Sequence, residues 1–74
     1  MNLEKEILLQ KGKNWAKLVS ARADKLCEIR KNNVDLMIQI LNGSIFEEAV
    51  NQIALEIKCG LYDKMLVPIE YSNE

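Results

Sequence analysis

The chain has 74 residues, 49% of them apolar, with ten Lys/Arg against eleven Asp/Glu and no histidine. That is one domain near the lower size limit for a self-sustaining core, so a disulfide, a metal or association is the expected helper. Two cysteines allow at most one bridge, and the missing histidine excludes Cys–His and Ser–His catalysis and argues against a transition-metal site.

The opening MNLEKEILLQ has acidic residues where a secretory signal needs basic ones and only a short apolar run, so a cytoplasmic protein with free thiols is expected. Charge is unevenly spread. Residues 1–31 carry eight Lys/Arg and four Asp/Glu, whereas residues 32–74 carry two and seven. Such polarity suits antiparallel pairing of two chains, or a basic face for an anion.

Asn2 can cap a first helix spanning residues 3–41. Leu8, Trp15, Val19, Leu26, Ile29, Met37 and Ile40 recur near a 3.6-residue period, with Gly12 in the same stripe. An unbroken helix of that length would be about 58 Å long, against about 33 Å for the helix that follows. A second chain must cover the excess, or the helix must break at Gly12 or at Asn32-Asn33, where helix propensity is poor. Arg22 and Asn33 fall at heptad core positions, which argues for an irregular bundle over a regular coiled coil. In VDLMIQIL, apolar residues point nearly all round, the pattern of a segment deep inside a bundle.

Residues 42–44 form the predicted turn. Asn42-Gly43 tolerates positive φ, and Ser44 with Glu47 has the spacing of a capping box. A second helix then spans residues 45–66, with Phe46, Ala49, Val50, Ile53, Ile57 and Leu61 as its core stripe and Pro68 forbidding continuation. Residues 67–74 read as a short extended tail whose Ile69 and Tyr71 could pack back. The expected fold is therefore all-α: a helical hairpin with a long first helix (continuous or broken), a tight Asn-Gly turn and a second helix. It would form one small domain over residues 1–74 and assemble into a helical bundle.

Leu55, Cys59, Tyr62 and Leu66 lie at i, i+4, i+7 and i+11, away from the core stripe. Two apolar rows on one helix imply contact on two sides, so these four are the candidate partner-binding residues. Lys11, Lys13, Lys17 and Lys31, around Trp15 and along residues 11–31, are the candidate nucleic-acid contacts. Trp15 itself belongs to the core stripe, and the sequence pI of about 5.4 argues against a dedicated nucleic-acid binder. The glycines are scattered singly, so no phosphate loop is present, and LMIQIL is too short to cross a bilayer. The expectation is a non-enzymatic protein–protein interaction module without catalytic residues, metal or cofactor. It would be a homodimer or other small homo-oligomer, or an adaptor or inhibitor docking on a larger protein. A nucleic-acid-associated regulator is the alternative, and no membrane partner is expected.

Overall fold

The computed structural model describes residues 2–69, which are mostly helical; Tyr71 lies outside the described residues. The Asn2 side chain accepts a hydrogen bond from the Lys5 amide at 3.2 Å, and α1 runs unbroken from there as Leu3–Ile29. Gly12 does not interrupt it, because one glycine costs a helix only about 1 kcal/mol. The break comes at the other expected place, around Asn32-Asn33. Arg30 is the C-cap of α1, and the Asn33 side chain then accepts the Asp35 amide at 2.8 Å, a local bond that competes with helix continuation. The predicted helix over 3–41 is thus two helices, α1 and a short α2 spanning Leu36–Leu41.

Asn42-Gly43 separates α2 from α3, which spans Ser44–Lys58. Gly43 has φ 80°, a left-handed conformation that glycine adopts without steric cost. Ser44 opens α3, yet its hydroxyl donates back to the Gln39 carbonyl at 3.4 Å and makes no capping bond. The α3 N-cap is Gly43.

α3 is shorter than predicted: it stops at Lys58, not at residue 66. Gly60, also at φ 80°, sits one residue beyond the Cys59 C-cap. Its amide bonds the Ile57 carbonyl at 3.0 Å, and the Leu61 amide bonds the Glu56 carbonyl at 3.1 Å. This is the Schellman closure, which satisfies carbonyls that would otherwise end the helix unpaired. The chain then forms a tight reversal. Leu66 bonds back to Asp63 at 2.9 Å, an isolated antiparallel bridge joins Tyr62 to Pro68, and the Asp63 side chain accepts the amides of Met65 and Val67. A three-residue loop with a left-handed last position explains Leu66 at φ 63°.

α1 and α3 pack antiparallel, and two bidentate ion pairs fix their register. Arg22 meets Glu56 at 2.7 and 2.8 Å, and Arg30 meets Glu48 at 2.9 and 2.6 Å. Eight residues forward on α1 match eight residues back on α3. Arg22 therefore does not spoil a core; it pins one edge of it. The core is small: Ala23 and Leu26 from α1 with Ile45, Ala49 and Ile53 from α3. Val19, Cys27 and Leu36 pack against it.

The pairs also turn α3. Drawing Glu48, Gln52 and Glu56 toward α1 centres the buried row on Ile45, Ala49 and Ile53, roughly 70° from the predicted stripe. Phe46 and Val50, expected inside, lie exposed as a result.

In this register α3 lies opposite only the C-terminal half of α1. The reversal at residues 61–69 reaches as far back as Asn14, whose amide donates to the Met65 carbonyl at 2.9 Å. Residues 3–13 are exposed throughout. This arm is about 16 Å of bare helix. The radius of gyration is accordingly 15.0 Å, where a compact chain of this length has about 11 Å.

Candidate functional site

A row of polar side chains runs the length of the α1–α3 seam. Gln39 joins Arg30 at 3.1 Å, Arg30 joins Glu48, Gln52 donates to Glu48 at 3.3 Å and accepts from Arg22 at 3.0 Å. Arg22 joins Glu56, which accepts the Tyr62 hydroxyl at 2.6 Å. Hydrogen bonding to Arg22 holds the Glu56 carboxyl below the usual carboxylate range, and Arg30 does the same for Glu48. Burial, then the neighbouring Glu56, pushes the Tyr62 phenol up. Every member of the row is occupied by another member. The row ties all three helices to the C-terminal reversal, and that is a structural task.

The predicted docking row does not exist as a row. Because Gly60 closes α3, only Leu55 of the four residues lies within a helix. Leu55 points outward at 62% exposure, in a shallow groove with Asn51, Ala54, Ile57 and Lys58. Cys59 is an exposed free thiol at the helix end. Tyr62 folds back onto Glu56, and Leu66 lies half-buried beside Asn14, Lys17 and Leu18 of α1. Leu55 and Cys59 thus face outward, while Tyr62 and Leu66 hold the reversal against the helices. The i, i+7 spacing matched a helix that Gly60 had already ended.

The candidate lysines are likewise not gathered. Lys13 and Lys17 share one side of α1, whereas Lys11 lies about 160–200° round the helix from Lys13. Lys31 is about 30 Å farther along than Lys11 and pairs with Glu28 at 3.2 Å. The two arginines of the same stretch are committed to Glu56 and Glu48. Trp15 is half-buried on α1, outside the central cluster.

Two other surfaces stand out. The first is the arm, where Leu3, Ile7, Leu8 and Leu9 are all exposed. The second is the corner formed by α2 and the turn before it. Val34 is 90% exposed and Leu41 78%, with Met37 and Ile38 beside them. Residues 32–46 contain a single charged residue, Asp35. The apolar wrap of VDLMIQIL predicted an interior segment, but only Leu36 and Gln39 of it are even partly buried. The signal was present in the sequence, and its meaning was inverted by the short α3. Among the described residues, sixteen large apolar side chains are exposed against five buried apolar residues, and those of the arm and of the corner are clustered along the chain.

Among the described residues no helix is long and apolar enough to cross a membrane. Comparison of the chain with protein-family models, with curated proteins and with solved structures finds no match in any of the three.

Proposed function

We propose that this chain is a non-enzymatic protein–protein interaction module. It docks through apolar helix faces and assembles as a small helical bundle, with copies of itself or on a larger protein. One observation carries the reading: the largest apolar side chains of α2 and of the α1 arm lie outside the core that their own chain can build. The accessible surface is 5993 Å², whereas a compact monomer of 8.5 kDa exposes about 4,700 Å². The surplus, about 1,300 Å², exceeds the roughly 800 Å² that each partner contributes to a standard interface. Interface centres are depleted in charge, as the corner is.

Met37→Asp with Leu41→Asp tests this. Both residues are exposed, so helicity should survive the change. The expected outcome is that self-association, or stoichiometric retention of a protein partner, is lost while the circular dichroism spectrum stays helical. A chain that is monomeric, retains nothing and is indifferent to the substitution contradicts the proposal.

A further inference from the structure

Resting on that reading, we infer that the occupant of both bare surfaces is a second copy of this chain, set antiparallel so that each arm lies on its partner's corner. The two surfaces sit at opposite ends of one molecule. The corner follows the C-terminal end of α1 and the arm is its N-terminal end, about 40 Å away along the 27-residue helix. Two copies related by a two-fold axis across α1 bring arm to corner twice, in one closed, self-complementary contact.

Charge favours this pairing. The arm with the next turn of α1, residues 2–17, holds four lysines and two glutamates, for +2. By contrast, α2 with the first turn of α3, residues 32–47, holds Asp35 and Glu47, for −2, while Lys31 at the edge of the corner pairs with Glu28. Among the described residues, Lys11, Lys13 and Lys17 make no ion pair, and neither do Asp35 and Glu47. An arm-on-arm contact in the same direction would set lysines on lysines, and corner against corner would set Asp35 and Glu47 on their own copies. Arm on corner pairs opposite signs at both ends and puts uncharged Val34, Met37, Ile38 and Leu41 against Leu3 and Ile7, which lie within about 80° of Lys17 round the helix. The surplus surface is also of the size that such a dimer needs.

The test uses full-length chains with Cys27→Ala and Cys59→Ala, one carrying Ile7→Cys and the other Met37→Cys. A short bis-maleimide is added to each alone and to their equimolar mixture. The mixture should cross-link at least roughly tenfold more than either chain alone, because only arm and corner are adjacent. A charge exchange on exposed residues provides a readout that needs no cysteine. Lys13→Glu with Lys17→Glu, or Asp35→Lys with Glu47→Lys, should each weaken dimerisation by roughly tenfold, and all four together in one chain should restore it. Cross-linking of like with like, or no rescue by the combined chain, overturns the arm-on-corner dimer and leaves docking itself standing. A chain that stays monomeric yet binds a different protein through Met37 and Leu41 also overturns it, with docking intact. If neither self-association nor a partner is found, both readings fall.

Discussion

Glu56 illustrates how much of this fold depends on single side chains. It accepts both forks of Arg22 and the Tyr62 hydroxyl, and so joins α1, α3 and the C-terminal reversal at one carboxylate. Arg22 lowers its pKa, as Arg30 lowers that of Glu48, so the folded state binds these protons less readily than the unfolded chain. The stabilisation is therefore fully present above the ordinary carboxylate range near 4.5 and is lost as pH falls through the depressed values. Tyr62 acts in the opposite sense. Its raised pKa contributes stability below its ordinary value near 10.0 that is lost as pH rises through the raised one. Unfolding followed from pH 7 to pH 3 should show an acid loss that Glu56→Gln flattens; an unchanged acid limb in that variant would contradict the pairing. Gly60 is the second such residue. With φ 80°, Gly60→Ala should cost about 1 kcal/mol in chemical denaturation, from the left-handed penalty alone. No loss would mean that α3 continues through Cys59 toward Leu66.

At the scale of elements, the sequence shows where α1 and α3 start more clearly than where they stop. Asn2 and Asn42-Gly43 mark α1 and α3 at their entries, and apolar periodicity names Leu26, Ala49 and Ile53 as interior. One stop was illegible for a definite reason, and the other fell at Asn32-Asn33, one of two expected breaks with Gly12. Gly60 lies inside an apolar rhythm that runs on through Leu61 and Tyr62, so Pro68 looked like the first barrier. Arg30 ends α1 with neither glycine nor proline; a side chain bonding its neighbour at Asn33 does the work. Gly12 shows the converse. It looked like a breaker but sits in an unbroken arm where an added Cβ meets nothing within 4 Å. Gly12→Ala should therefore stabilise the arm locally, by about 0.8–1 kcal/mol, read as slower amide exchange across residues 5–13 at a concentration where the chain is monomeric. Faster exchange would mean that this backbone is not helical in solution. The candidate site was half legible. Composition located the apolar excess in VDLMIQIL, but which side of the molecule it occupies depends on the register set by Arg22 and Arg30, and periodicity carries no record of long-range ion pairs.

The whole molecule is an open frame, 47 × 40 × 17 Å, built on a core of five buried residues among those described. A core so small contributes little against chain entropy, and the marginal stability expected of it would rise with any contact that covers the arm and corner. On the proposed association, stability and self-contact would be coupled: the melting temperature should increase with concentration if a second copy supplies that contact. Sedimentation velocity across a concentration series tests the central claim most directly. The account predicts a concentration-dependent shift from the 8.5 kDa chain to a dimer of about twice that mass, abolished by Met37→Asp with Leu41→Asp. A single 8.5 kDa species at every concentration, with Val34, Met37, Ile38 and Leu41 exposed and no protein bound to them, would contradict it.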